Sequence, residues 1–386
     1  MGKATVVPIT PSVLTWAIRE SGYSPEEVAA KAEIPLEELS AWKRGEPPPL
    51  TKFRRLAGVL KRTVATFLLP SPPSSAPSPV QFRRVPGIGR TTLNPVERRY
   101  LREASRIQKA TAWLAGKLGR ATPSLPTYKL STDAERASDS VRHSLRSYLS
   151  REPRAQPTPA QAFDAWRDAL ERWGVLVFLF PLGKNAAQGF SLWDEKAPLI
   201  AVNTFWNDAA RIFTLFHELG HLLTRTSSVC VERSASKFTR PSDATERWCE
   251  QFAAAVLIPW TEVEEFLGKR FEWRPGTLVE DLSVSRAIAN RFKVSWRAAT
   301  LRLIERKAAK WDLYGMIPTA SETKIGGGGG SGRNRREIKE DQYGKRATDM
   351  FVQAYQKRMI GRTDVLDYLD LTDNGLSQLQ GAPRLE

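Results

Sequence analysis

The chain has 386 residues and a formal charge of +16, from 58 Lys and Arg against 42 Asp and Glu. Hydrophobic residues make up 41% of it, which excludes global disorder, and the length leaves room for two or three domains. Its two cysteines, Cys230 and Cys249, cannot build the disulfide framework of a small secreted fold.

No leader-like segment stands ahead of Thr15, and apolar runs such as Gly174 to Phe180 fall far short of the roughly 20 residues of a membrane helix. A cytoplasmic protein with no membrane partner is therefore expected. The basic excess favours nucleic acid or an acidic protein as partner, and it also fits solvated basic faces that bind neither.

From Thr10 to Leu69 the periodicity predicts short helices over Pro11 to Glu20, Ser24 to Ala32, Pro35 to Arg44 and Leu50 to Lys61, followed by a final turn. Ser24 with Glu27 makes a capping box, and Gly22 and Gly45 stand where helices stop. With Trp42 and Gly45 closing its third helix, this five-helix segment resembles the XRE-type DNA-binding module. That resemblance places the first turns of the third helix in the major groove, yet here they read Pro35, Leu36, Glu37, Glu38, and acids facing phosphates repel. The nearby Lys43, Arg44, Lys52, Arg54 and Arg55 can still grip a phosphate backbone without reading bases. A purely protein-facing role is the alternative.

Ser71 to Pro79 is Pro- and Ser-rich and reads as a semi-rigid linker. A long basic helix follows from Arg98 to Leu118, with Arg98, Arg99, Arg102, Arg106 and Lys109 on its polar side, and another helix runs from Ala134 to Ser150. After the Pro-containing break at Arg151 to Pro159 come a helix over Ala160 to Trp173 and a buried strand over Val175 to Phe180. Two further strands are expected at Gly189 to Trp193 and Leu199 to Asn203, and Asn207 opens the next helix. Far downstream, Gly326 to Gly330 is a run that no regular element tolerates, a flexible joint before a helical segment from Asn334 to Gln380.

His217, Glu218 and His221 form an HExxH pattern, whose chance occurrence in a chain of this length is about one per cent or less. Residues four apart share a helix face, so both imidazoles can meet one metal ion with Glu218 beside its water. A catalytic zinc site takes a third protein ligand. His143 is remote and flanked by Arg142 and Arg146, so it reads as solvent-facing, and a carboxylate fits better. The helix from Ala244 to Ile258 offers Glu246 and Glu250. Glu246 lies nearer the apolar stripe of Cys249, Phe252, Ala253 and Val256 and is the preferred ligand, with Glu250 as the fallback. A capping box from Asp243 to Glu246 accounts for the same acid without a metal. Cys249, a turn away, reads as a small buried hydrophobe.

The phrase from Phe213 to Leu222, followed by Glu246, Phe252, Ala253, Ala254 and Pro259, resembles the ImmA/IrrE family of metallo-endopeptidases. The resemblance puts the third ligand on Glu246; Glu250 stands where the family often has Asn. Ala287 to Ser295 is similar to the helix-turn-helix step that follows the family's core, and is expected over the cleft.

The implied fold is α+β and mainly helical. An XRE-like domain (1–70), a linker (71–85) and a helical connector (86–158) lead to a zincin-like core with trailing helices (159–320), in which a small sheet packs with the HExxH helix and the Glu-bearing helix. A Gly-rich linker (321–333) and a helical C-terminal segment (334–386) complete it. The implied activity is zinc-dependent, or manganese-dependent, cleavage of a specific partner such as a transcriptional repressor. Glu218 is the general base, and the substrate lies along Gly189 to Trp193 as the edge strand. Two other classes compete: an XRE-type DNA-binding regulator or antitoxin-like protein with a non-catalytic metal site, and a scaffold that senses a ligand in the cleft.

Overall fold

A computed structural model describes residues 5–73, 93–225, 228–231, 244–318 and 334–380. The glycine run, Asp243 and most of the Pro/Ser-rich linker lie outside the described residues. The fold is mainly helical with one small sheet, an α+β arrangement. Among the described residues no helix is long and apolar enough to cross a membrane. The chain divides into two compact units, and the boundary falls within one long helix near Glu103.

The first unit holds α1 (Pro11–Ser21), α2 (Pro25–Ala32), α3 (Leu36–Arg44), α4 (Leu50–Leu60), a short 3-10 turn (Val64–Leu68) and the start of α5 (Pro95–Lys117). Local chemistry sets its helix ends. Ser24 accepts from the Glu27 amide while Glu27 returns a bond to the Ser24 amide, and Gly22 and Gly45 take the left-handed conformation that stops α1 and α3. Trp42 is buried edge-on against Phe53, which meets Phe67 in turn, so these rings close the small core.

The second unit begins with the rest of α5, α6 (Ala134–Arg146) and α7 (Pro159–Trp173). Then come β1 (Leu176–Phe180), β2 (Ala187–Leu192), β3 (Leu199–Asn203), α8 (Asp208–Leu223), β4 (Ser228–Val231) and α9 (Ala244–Leu257). Four more helices follow, α10 (Trp260–Phe271), α11 (Leu282–Phe292), α12 (Trp296–Glu305) and α13 (Trp311–Gly315). The C-terminal helices are α14 (Arg335–Gln356), α15 (Arg362–Leu369) and α16 (Asp373–Gln380).

The sheet order is β1-β3-β2-β4, with β1 parallel to β3 and β2 antiparallel to both of its neighbours. This corrects the expected edge: β2 is interior, because the four residues of β4 pair along it. So short a strand carries too little alternation to register in the sequence.

Alternate residues face opposite layers. Val177, Ile200 and Val202 share a core with Trp166 and Leu170 of α7 and with Ile212, Leu215, Phe216 and Leu219 of α8. On the opposite face Phe178 meets Phe180 and Tyr343, and Phe180 stacks on Phe190, all of them buried. Tyr343 belongs to α14, so this helix closes one side of the hydrogen-bonded sheet.

The seam between α14 and β1 is polar and buried. The Arg167 guanidinium donates to the Val177 carbonyl at 2.8 Å and to the Asp341 carbonyl at 2.7 Å, and it pairs with Glu171 at 3.2 Å. Glu171 accepts from the Lys345 and Arg346 amides at 2.9 and 3.2 Å, where α14 kinks at Gly344 (φ 75°). A Cβ at Gly344 would stand 2.0 Å from Glu171 Oε1, so only glycine lets the kink lie there. The outer edge of β1 is thereby sealed.

Helices α11 and α12 turn at Lys293 to Ser295, and Ile288, Ala289, Phe292 and Leu303 join the same core as α8 and α9. The buried Arg302 donates to the carbonyl of Ile258 at 3.0 Å, at the end of α9 opposite Glu246 and about 18 Å along the helix.

Candidate metal centre

Helix α8 starts at a strong signal: the Asn207 side chain accepts from the Ala210 amide at 2.9 Å, and Asp208 occupies the positive first turn. From there the helix is buried along nearly its whole length. His217 and His221 lie one turn apart, with their Nε2 atoms 3.2 Å from each other.

Helix α9 brings Glu246 to them from its own first turn. Its Oε2 lies 3.3 Å from His217 Nε2 and its Oε1 lies 3.3 Å from His221 Nε2. The approach of the two helices depends on Gly220, where a Cβ would meet the Cys249 Sγ, Cα and Cβ at 3.1 to 3.2 Å. Cys249 is fully buried there, as a packing residue.

The donor set fits a divalent ion. Bonds of about 2.0–2.1 Å at tetrahedral angles place ligand atoms about 3.3 Å apart; the imidazole nitrogens are 3.2 Å apart, and each lies 3.3 Å from its own oxygen of the Glu246 carboxylate. His221 is sealed, but His217 keeps slight exposure and the Glu246 side chain is 23% exposed, so the centre is reachable from solvent.

Electrostatics hold the trio together. Burial opposes a charge on His217, but its bond to Glu246 and the nearby carboxylates of Glu218, Glu246 and Glu250 outweigh burial and raise its pKa. Burial likewise opposes the Glu246 charge, and the two imidazoles overcome it and hold this carboxyl well below the usual range. His217 thus keeps its proton to higher pH than an ordinary imidazole, and ion uptake must displace it.

Glu218 follows His217 on α8 and is fully buried. The residue that makes room for it is a strand glycine that was not among the expected site residues. Gly189 of β2 faces α8, and a Cβ there would stand 2.7 Å from both the Ala201 carbonyl oxygen and Thr214 Cγ2, and 3.4 Å from Glu218 Cγ. A Gly189→Ala protein is expected to lose roughly 1–3 kcal/mol through this overpacking, read as a lower urea midpoint with little change in slope. The one available signal was a glycine inside a strand pattern.

Other candidate residues lie elsewhere. His143 is exposed on α6, and Glu250 acts on His217 through its charge without joining the three-donor group. In the first unit Lys52 pairs with Glu38 at 2.8 Å and Arg55 with Glu33 at 2.7 Å, while Arg44 and Arg54 are exposed and Lys43 is half-buried. Arg302, also unforeseen, forks onto Glu135 and Glu305 while holding the end of α9, tying the ligand-bearing helix to α6.

Residues 170–303 match the Peptidase_M78 family model, the IrrE N-terminal-like domain. This stretch is similar to the metallopeptidase domain of the ImmA/IrrE type, and it runs from the end of α7 into α12, taking in the whole sheet with α8 and α9. No curated protein matches the chain. A peptidase domain implies a protein substrate.

Proposed function

We propose that the chain is a zinc-dependent endopeptidase of the cytoplasm that cuts one specific partner, a transcriptional repressor of a stress, phage or mobile-element regulon. In this reading His217, His221 and Glu246 hold the ion and Glu218 is the catalytic base. The observation that carries the proposal is the meeting of two imidazole nitrogens and one carboxylate at tetrahedral spacing.

When bound, the ion supplies Lewis acidity, polarising a peptide carbonyl and acidifying water towards a pKa of about 7. The protein's own residues do the rest. Glu218, buried one residue from His217, accepts a proton from the attacking water and delivers it to the departing amine. The first unit, with its XRE-like helix order, brings the peptidase to repressor or to DNA.

The ligand assignment has a direct check in elemental analysis of purified protein. Glu246→Ala is expected to weaken metal binding more than about 100-fold, beyond the 10–100-fold typical of outer-shell changes. Glu250→Ala should retain the ion, and the reverse pattern exchanges the two roles. The activity is tested by co-expressing the chain with repressors from its genomic neighbourhood, in wild-type and Glu218→Gln forms. A cut that needs both metal and Glu218 supports the proposal. Steeply salt-dependent DNA binding with no cleavage of any repressor supports the regulator with a non-catalytic metal site instead.

A further inference from the structure

The first unit has two basic surfaces of different character. On the α3–α4 side, where a helix-turn-helix would read bases, Lys52 and Arg55 are bound to Glu38 and Glu33. The second surface joins α1, the end of α4 and the first turns of α5, and it is built from arginines.

Arg62 lies over the Trp16 ring at 4.7 Å, and Arg99 lies over the Tyr100 ring at 4.8 Å. Arg102 donates to the Glu20 carbonyl at 2.6 Å, and Arg98 donates to the Leu93 carbonyl at 3.2 Å beside Gly22. Burial first, then the charges of Arg62, Arg98 and Arg99, draw the Arg102 guanidinium down to about 10 against the opposing pull of Glu20. Three guanidinia are therefore close enough to act on that of Arg102, with Glu20 the acid set beside it.

We infer that this arginine face of α1 and α5, rather than the α3 helix, is the nucleic-acid contact of the chain, and that it grips the phosphodiester backbone without reading bases. A guanidinium stacked on a ring keeps its in-plane N–H fork directed outward, the geometry that bidentate phosphate recognition needs. The rings beneath are buried, with Trp16 8% and Tyr100 7% exposed, so they cannot stack on bases. The same burial disfavours a protein partner, whose interface needs an apolar centre to cover. Arg102 ties α5 to α1 through the Glu20 carbonyl and Arg98 bonds back to the Leu93 carbonyl just ahead of α5, which leaves Arg62 and Arg99 as the movable part of the grip.

The test uses the full chain, a fluorescent 20-base-pair duplex of mixed sequence, and anisotropy from 50 to 300 mM salt. Arg62→Glu with Arg99→Glu is expected to weaken binding at least about 100-fold at 100 mM salt and to flatten the log–log salt slope by about 2. The neutral pair Arg62→Gln with Arg99→Gln should shift both readings the same way while disturbing the fold less, with circular dichroism unchanged. Lys43→Glu with Arg44→Glu should stay within a few-fold of wild type. The inference is overturned if the Lys43 and Arg44 reversals abolish binding and the Arg62 and Arg99 changes do not. It is equally overturned if the wild-type chain ignores duplex at 50 mM salt, or if polyglutamate at equal charge displaces the duplex as well as unlabelled DNA does.

Discussion

A Glu218→Gln protein is expected to keep its metal and to lose at least about 100-fold, and up to about 10,000-fold, of its peptide cleavage rate, the span attributed to one positioned acid–base group. Gln has the shape of Glu and occupies the same buried space between α8 and Gly189, so folding and the His217, His221 and Glu246 triad should be untouched. What disappears is the ability to take a proton from water and return it to the amine. The measurement is a paired one, metal content by elemental analysis and cleavage of the co-expressed partner. Full cleavage by the metal-loaded variant would remove Glu218 from the mechanism, whereas loss of metal would mean that its charge also helps hold the ion.

The largest stability effect is expected far from the metal, at Glu171. Its carboxylate neutralises Arg167 and accepts the Lys345 and Arg346 amides, and both side chains are 10% exposed or less. Glu171→Ala leaves a buried guanidinium without its counter-charge, a change that typically destabilises by about 3–5 kcal/mol. Replacing the pair together, by Arg167→Met with Glu171→Leu, should recover part of that loss because no uncompensated charge remains. Urea unfolding measures the size of the effect. Limited proteolysis within α14 to α16 locates it, since released helices should be cut faster than in wild type. Equal resistance in Glu171→Ala would show that the ring contacts of Tyr343 alone hold α14 to the sheet.

Helices α8 and α9 were legible because their chemistry is periodic. HExxH repeats at one helical turn, Asn207 and the apolar positions after it announce α8, and the apolar stripe of α9 points Glu246 inward. Strands β1, β2 and β3 also announced themselves as short apolar runs, with ends within two residues of those observed. What escaped was non-local. Four residues of β4 have no signature until β2 lies beside them, and the edge of the sheet was misplaced as a result. The docking of α14 rests on an i,i+4 pair, Arg167 with Glu171, which in sequence looks like any exposed helix salt bridge. Only the fold shows that both partners are buried. Gly189 and Arg302 were missed similarly, since the value of an empty Cβ position or a lone guanidinium depends on what the chain later brings next to it.

The docking of α14 has a consequence for synthesis. Helices α8 and α9 leave the ribosome before Tyr343 and the bend at Gly344. Until then Phe178, Phe180 and Phe190 lack their partner layer and one strand edge stays unsealed, so the nascent peptidase offers a sticky surface that invites chaperone capture. Completion of the second face of the sheet thus waits for translation of α14.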